Sequence, residues 1–138
     1  MTQGLLLDTC ACIWMSKREP MADDAVAALN AAWQAGEDLH VCPFTAWEIG
    51  MLVSRGRLSV GVSPALWFER LVGTEGVQLT HLSPAVLLAS NALPGTPPND
   101  PADRIIIATA RELGLTVVTR DRLILGYAQA GHVLALAC

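Results

Sequence analysis

Four acidic residues, far apart in this sequence, occupy related positions in its pattern. One of them directly follows a short apolar run, another follows a β-branched run after one intervening residue, and two lie near the starts of helical stretches. In a parallel α/β fold, strand ends and the helix starts that follow them lie along one edge of the sheet, so the four carboxylates can form one anionic pocket. The four residues are Asp8, Glu48, Asp103 and Asp121.

A pocket of this composition predicts chemistry with a hard metal ion. Clustered like charges raise their own pKa values and destabilise the fold, and a divalent cation relieves that repulsion. Oxygen-only ligands favour Mg²⁺, with Mn²⁺ as a substitute, and such an ion keeps several waters and is completed by substrate phosphate. It can activate water and stabilise both oxygens of an in-line displacement, which predicts phosphodiester hydrolysis.

Each acid also has a purely structural interpretation as a helix cap. Glu48 follows Thr45 by three residues, the spacing of a capping box, and Asp103 stands in the same relation to Asp100. Asp8 and Asp121 are placed to act as simple caps. Four unrelated caps would ordinarily scatter, so their shared placement at one sheet edge favours a site.

The apolar periodicity predicts the elements that position these acids. Val26, Leu29 and Trp33 recur at helical spacing and form the expected apolar face of the second helix. Alternating strands and helices predict an α/β fold with a mostly parallel sheet, and residues 1–138 are interpreted as one domain. Strands are expected at 5–7, 39–42, 77–82 and 116–119, and an edge strand at 132–137. One helix is expected to begin near residue 9 and another at residue 64; the other helices are expected at 21–36, 45–54, 84–94, 100–113 and 121–129.

Composition narrows the class of protein further. A chain of 138 residues that is 52% hydrophobic and 16% charged favours a sheet covered on both faces and excludes disorder. The net charge of −4 argues against non-specific coating of nucleic acid but not against a nuclease. The longest uncharged stretch, residues 76–99, contains four prolines and cannot span a membrane, so a cytoplasmic protein is expected.

The four cysteines do not form a zinc pattern. Cys10, Cys12, Cys42 and Cys138 comprise one C-x-C pair and two remote residues without a histidine pair, which matches none of the usual ligand spacings. We expect reduced cysteines that fill small apolar spaces, and no disulfides in the cytoplasm.

At these residues the sequence resembles the PIN-domain ribonucleases, and more narrowly the VapC-type toxins of bacterial toxin–antitoxin pairs. The likeness covers nearly the whole chain, and the signature segments occur in the family's order. They are LLLDT at 5–9 through Trp14, TAWEIGML at 45–52 through 56–58, DPADRIIIATA at 100–110 and VVTRD at 117–121.

The resemblance implies a three-layer α/β/α sandwich and a role for each acid. Asp8, Glu48 and Asp103 would be the core acids that hold Mg²⁺, with Asp121 as a fourth and more variable one. Thr119 and Thr9 would support them, and Asp100 is ranked as a helix cap or a supporting group. The implied substrate is RNA, with tRNA or rRNA plausible, and the implied partners are a small antitoxin and a second copy of the chain.

RNA recognition is less clearly encoded. Five arginines lie near the pocket's elements and can contact phosphates, although arginines at helix ends are more often solvated or paired. There is no aromatic base-stacking signature, and Trp14, Trp47 and Trp67 suit a binding surface, although core or dimer packing is preferred for at least two of them. The arginines are Arg55, Arg57, Arg104, Arg120 and Arg122, of which the last three are the candidate RNA contacts.

Two departures from relatives stand out. Pro98-Asn99 replaces a basic residue that many related toxins carry before the Asp-Pro pair, which removes a possible phosphate contact. Cys10 and Cys12 stand where a polar and an aliphatic residue are usual, so Cys10 raises the question of oxidation at the edge of the site, against an inert packing role.

Two other classes of protein compete with this interpretation. A haloacid-dehalogenase-like phosphatase needs a second Asp two residues after the first, where this chain has Cys10, and a receiver domain needs a lysine after a late strand, whereas Lys17 is the only lysine. A PIN-like scaffold that binds RNA or a protein without cutting is the main alternative, which the intact acids disfavour.

Overall fold

The computed structural model describes residues 4–138, which fold as strands alternating with helices. Short β-branched or apolar runs form the strands, and helices begin where Ser, Asp or Pro can cap or start them. The strands are β1 (Leu5–Leu7), β2 (Leu39–Val41), β3 (Val77–Leu79), β4 (Thr116–Thr119) and β5 (Leu134–Ala137). The helices are α1 (Thr9–Ser16), α2 (Asp23–Gln34), α3 (Phe44–Ser54), α4 (Pro64–Val72), α5 (Pro84–Ala89), α6 (Pro101–Leu113) and α7 (Arg122–Gln129).

The five strands form one sheet in the order β3-β2-β1-β4-β5, and every pair is parallel. The chain builds β1, β2 and β3 outward in one direction and then returns to place β4 on the other side of β1. The order therefore reverses between β1 and β4, and the carboxyl ends of strands at such a reversal form the usual binding crevice of an α/β sheet. The predicted edge position of β5 is confirmed.

Two apolar clusters cover the two faces of the sheet, which explains why β1 is apolar at all three positions. Leu6 and Val117 point to one face, where they pack with Ile106 and Ile107 of α6 and with α7. On the other face, a second cluster joins alternate strand residues to α1, α2 and α4; it includes Leu5, Leu7, Ala11, Ala25, Val41, Leu71 and Val118. The expected three-layer α/β/α arrangement is confirmed.

The apolar face predicted for α2 is wrong in part. Ala25 and Ala32 are buried and Leu29 packs against the core, but Val26 and Trp33 are exposed, Trp33 by 61%. Small alanines face the sheet because the helix lies close to it, and the larger residues recurring at helical spacing fall on the flank. Periodicity identified the helix but not its buried side.

Other predicted bounds were too long. The strand expected over 77–82 ends at Leu79, and α5 ends at Ala89 rather than near Pro94. Directly after α5, the hydroxyl of Ser90 and the side-chain amide of Asn91 both donate to the backbone carbonyl of Leu87, at 2.6 and 3.3 Å. Such local side-chain bonds compete with helical backbone bonds and end the helix early.

Three of the four cysteines behave as predicted. Cys12, Cys42 and Cys138 are buried, whereas Cys10 is exposed, so the packing role expected for Cys10 is wrong. The residue is exposed as a whole, but partial desolvation of its sulfur, followed by the nearby carboxylates of Asp8 and Glu48, raises the pKa of the Cys10 thiol to about 11, which keeps it protonated and slow to oxidise. Among residues 4–138, no helix is long and apolar enough to cross a membrane.

Candidate functional site

The carboxyl ends of β1 and β4 bring Asp8 and Asp121 to the point where strand order reverses. Leu7 pairs with Val118 in the parallel register, and the amide of Asp8 donates to the carbonyl of Val118 at 3.2 Å. Asp8 thus lies beside Thr119, the last residue of β4, and Asp121 begins the following helix. The predicted meeting of these two acids at one sheet edge follows from this register.

Asp8 is a buried carboxylate with a donor on each oxygen. It caps α1 by accepting from the amide of Ala11 at 2.7 Å through Oδ1, and the hydroxyl of Thr119 donates to Oδ2. Burial raises the pKa of Asp8, and the bond from Thr119 acts in the opposite direction by stabilising the charged form. The side chain is only 5% exposed, so little of the carboxylate is in contact with bulk water.

Thr119 joins Asp8 to Asp121. Its side-chain oxygen accepts from the amide of Asp121 at 3.0 Å while its hydroxyl hydrogen goes to Asp8. Asp121 caps α7, with Oδ1 accepting from the amides of Leu123 and Ile124 at 2.8 and 3.0 Å, which leaves Oδ2 unengaged among the described residues. The proposed support of the acids by Thr119 therefore has a defined geometry.

Glu48 is held by two threonines. The hydroxyl of Thr9 donates to Oε1 of Glu48 at 2.5 Å, and Thr9 and Thr45 are joined at 3.1 Å between their side-chain oxygens. A hydroxyl has one hydrogen, so Thr45 donates to Thr9 and Thr9 donates to Glu48. Thr9, which directly follows Asp8 in the chain, thus contacts Glu48 among the acids. Burial raises the pKa of Glu48.

The capping box predicted for Thr45 and Glu48 does not form. α3 begins one residue earlier, at Phe44, with Pro43 as its N-cap and no side-chain cap bond. Thr45 is instead fully buried against Thr9. Thr45 is a site residue that the sequence interpretation missed, and its spacing to Glu48 was the available signal, interpreted as the wrong motif.

The start of α6 places Asp100 and Asp103 near the same edge. Asp100 is the N-cap and accepts from the amides of Ala102 and Asp103 at 2.7 and 3.1 Å, which confirms its interpretation as a helix cap. The Asp103 carboxylate accepts no hydrogen bond and makes no ion pair within residues 4–138. Burial, followed by repulsion from Asp121 and Asp100, raises the pKa of Asp103 to about 7.

The carboxylates lie close enough together for the charge of one to raise the pKa of another. Asp121 raises the pKa of Asp8; Asp100 and Asp8 raise that of Glu48; and all four other acids raise that of Asp103. Hydrogen bonds from Thr119 and Ala11 lower the pKa of Asp8, and the one from Thr9 lowers that of Glu48, whereas Asp103 receives no such bond within residues 4–138. A cluster of partly buried carboxylates with one member free of partners is a donor set that suits a hard divalent cation.

The side chains do not yet converge on a single ion position. Among the described residues, no three His, Cys, Asp or Glu side chains are arranged to hold one metal ion. Convergence of every acid is not required, because Mg²⁺ commonly uses only one or two direct carboxylates and keeps several waters. The donor set fits such an ion, and the assignment of the four acids as its ligands stays a prediction.

The three candidate RNA-contact arginines differ in how they are held. The Nε of Arg104 donates to the carbonyl of Pro98 at 2.7 Å. Arg120 donates to the carbonyls of Cys138 and Pro20 at 2.8 and 2.7 Å, and its guanidinium carbon lies 3.7 Å from the ring centroid of Trp14. Arg122 is exposed on α7, as are Arg55 and Arg57 after α3. These contacts make Arg120 a structural clamp, and RNA contact by any of the three stays a prediction.

Of Trp14, Trp47 and Trp67, only Trp67 packs as preferred, partly buried against the second apolar cluster. Trp14 lies under the guanidinium of Arg120 instead. Trp47 is 58% exposed and stacks on Phe44, a feature absent from the sequence interpretation.

The fold and the family agree. A family model described as "PIN domain" matches residues 5–128, so the chain belongs to the PIN-domain family. It is 33% identical over 118 residues to "Ribonuclease VapC22" of Mycobacterium tuberculosis, an overlap of 86% of this chain and 87% of that protein. The family resemblance inferred from the signature segments is therefore confirmed.

Solved structures share the architecture. VapBC2 from Rickettsia felis bound to a promoter DNA fragment matches with a TM-score of 0.65 at 12% identity, covering 96% of this chain and 97% of that one. DNA-bound VapBC from Salmonella typhimurium matches with a TM-score of 0.62 at 20% identity, covering 99% and 98%. At these identities the likeness concerns the fold.

Proposed function

We propose that this chain is a metal-dependent endoribonuclease that acts as the toxin of a bacterial toxin–antitoxin pair. Asp8, Glu48 and Asp103 would hold Mg²⁺, or Mn²⁺ in its place, with Asp121 as the fourth acid. The observation that carries the proposal is the group of mutually repelling carboxylates at the carboxyl edge of the sheet. Within this group, the pKa of Asp103 is raised to about 7, and its carboxylate has no partner among the described residues.

The chain's own residues would prepare the site for hydrolysis of a phosphodiester bond. When bound, a divalent ion supplies activation of a water molecule and stabilisation of charge on the attacking and leaving oxygens. Thr119 keeps one oxygen of Asp8 oriented, and Thr9 does the same for Glu48. Asp103, whose oxygens have no other donor in residues 4–138, is the acid most available to the ion. Hydrogen bonds that already hold Asp8 and Glu48 in place favour catalysis, because these side chains need little rearrangement during the reaction.

The proposed partners rest on relatives. The curated relative is named a ribonuclease, and the structural neighbours include VapBC and FitAB assemblies. The first name supports RNA as substrate and the assemblies support an antitoxin partner. We further propose that the RNA is a tRNA or rRNA and that the antitoxin is small and covers the site. A homodimer and a cytoplasmic location remain part of the proposal, and exposed Leu88 and Leu123 provide apolar surface for association.

Cleavage of RNA tests the enzymatic half. Wild-type protein with Mg²⁺ should cut RNA, and EDTA or Asp8→Asn should abolish cutting. The matched control is Asp38→Asn, an exposed acid immediately before β2 at the opposite edge of the sheet, which should retain full activity. Activity that is indifferent to EDTA and to Asp8→Asn would sink the proposal.

Expression in bacteria tests the toxin half separately. Wild-type protein made without its antitoxin should arrest growth, whereas Asp8→Asn should not, and co-expression of the antitoxin should restore growth. Soluble wild-type protein that leaves growth unchanged would remove the toxin role while leaving the nuclease role intact.

A further inference from the structure

Phe44 and Trp47 form a stacked aromatic pair on α3. Their ring centroids are 5.2 Å apart and their planes differ by 18°. Phe44 is partly buried and packs against the apolar cluster that includes Leu6 and Ile106, whereas Trp47 is 58% exposed. The inner ring thus anchors the outer one, and Trp47 presents a flat indole face that no residue of 4–138 is recorded as stacking on.

The pair borders the carboxylate edge. α3 begins at Phe44, three residues after the end of β2 at Val41, so its first turn lies at the carboxyl edge of the sheet. Phe44 and Glu48 are four residues apart and share a side of the helix, with Cβ atoms expected at about 5–6 Å. Trp47 directly precedes Glu48 near the start of the same helix, so the two residues leave α3 at the same end of the sheet, in directions about 100° apart.

The charge at this edge decides which contacts can hold an anionic chain there. Five acids share one field in a protein of net charge −4, so phosphate groups are repelled except where a cation intervenes. Neither the first nor the last turn of α3 carries a charged residue of the sign that would offset this. A contact that is not ionic avoids this repulsion, and stacking of a nucleobase on an aromatic ring is such a contact.

We propose that Trp47, braced by Phe44, is a stacking platform for one unpaired nucleobase of the RNA, next to the phosphate that the carboxylates address. The identity of the ligand as RNA rests on the proposed function. A rigid ring pair suits a planar base because a third ring extends the existing stack with little loss of side-chain freedom. Stacking tolerates any base, so the platform predicts recognition of single-stranded RNA rather than of a particular sequence.

Equilibrium binding of labelled, short single-stranded RNA in EDTA tests this without cleavage. Trp47→Ala should weaken binding by about 5- to 150-fold, the range of one base–aromatic stack. Trp47→Tyr keeps a flat ring and should retain most of the affinity. Trp33→Ala is the matched control, because Trp33 is 61% exposed and contacts Gly76 just before β3, at the opposite edge of the sheet, and it should bind as wild type.

Removing bases from the RNA identifies the contact. The difference between wild type and Trp47→Ala should disappear when one particular nucleotide is abasic and persist when its neighbours are. Equal binding by wild type and Trp47→Ala, no measurable binding by wild type, or a loss that no abasic position removes would each overturn the proposal.

Two further readouts separate this proposal from its competitors. If sedimentation shows that Trp47→Ala, but not Trp33→Ala, turns a dimer into monomers, the face is a protein interface and the proposal fails. If RNA binds with the predicted dependence on Trp47 but is never cut, the proposed nuclease function fails and the stacking proposal stands. If Trp47→Ala protein cuts RNA as well as wild type does, the stacking proposal fails and the nuclease function stands.

Discussion

Thr9 donates its hydroxyl hydrogen to Glu48 at 2.5 Å, and this bond is oriented by a second threonine behind it. Since Thr45 must donate to Thr9, the hydroxyl of a fully buried residue sets the direction of a hydrogen bond to a candidate metal ligand. The three residues come from α1 and α3, so the bond also fixes how these helices meet at the site.

Thr45→Val should therefore act on Glu48 without touching it. Valine keeps the shape of threonine but removes the hydroxyl that donates to Thr9. The loss of one hydrogen bond should lower both the Mn²⁺ affinity and kcat by about three- to tenfold. KM for RNA should not change, and Thr45→Ser should restore kcat. A Thr45→Val protein with reduced stability but unchanged kcat and metal affinity would reduce Thr45 to a packing residue.

Thr119→Val should destabilise the fold. It removes the hydroxyl that donates to the buried Asp8, and hydrogen bonds to charged groups contribute about 1.5–3 kcal/mol, which is the expected loss in the free energy of unfolding. Denaturant titration measures it. Thr116→Val is the control, because it makes the same change at the other end of β4, where the hydroxyl has no recorded partner in residues 4–138. Equal losses in both variants would contradict the role of Thr119.

The raised pKa of Asp103 predicts the pH dependence of the metal-free protein. The folded state, with a pKa of about 7, holds a proton that the unfolded state releases near 3.8. Stability contributed by this proton is present below pH 3.8 and is lost as pH rises to about 7. Wild type should therefore lose stability relative to Asp103→Asn across that range.

A divalent cation should reverse this effect. Mn²⁺ should raise the melting temperature of wild type more at pH 8 than at pH 5, because the deprotonated carboxylate is the form that binds the ion. A constant difference between wild type and Asp103→Asn at every pH would show that Asp103 is an ordinary surface acid.

Arg120 and Arg122, two residues apart, should respond differently to substitution. Arg120→Ala removes two bonds to backbone carbonyls and the contact with Trp14, so the free energy of unfolding should fall by about 1–3 kcal/mol. Arg122→Ala, at an exposed position, should change it by less than about 0.5 kcal/mol but should weaken RNA binding more at low salt than at high salt. Stability that is insensitive to Arg120→Ala would argue against the clamp.

The strands and the placement of the acids could be predicted from the sequence better than the packing of the helices. The run Leu5–Leu7 followed by Asp8, and Thr116–Thr119 followed by Asp121, have strong local patterns, and parallel-sheet geometry then dictates a shared edge. Trp33 and Thr45 show the limit: whether a helical residue faces the core or a neighbouring hydroxyl depends on how closely the helix approaches the sheet, which local periodicity does not encode. The Phe44–Trp47 pair was also missed, although residues three apart on one helix are neighbours and the spacing was available as a signal.

Titration with Mn²⁺ tests the central claim, that the carboxylates form one cation site, most directly. Isothermal titration of wild type should show saturable binding, Asp8→Asn and Asp103→Asn should each weaken it by at least about tenfold, and Asp38→Asn should match wild type. Equal Mn²⁺ affinity in all four proteins, or no binding by wild type, would contradict the account.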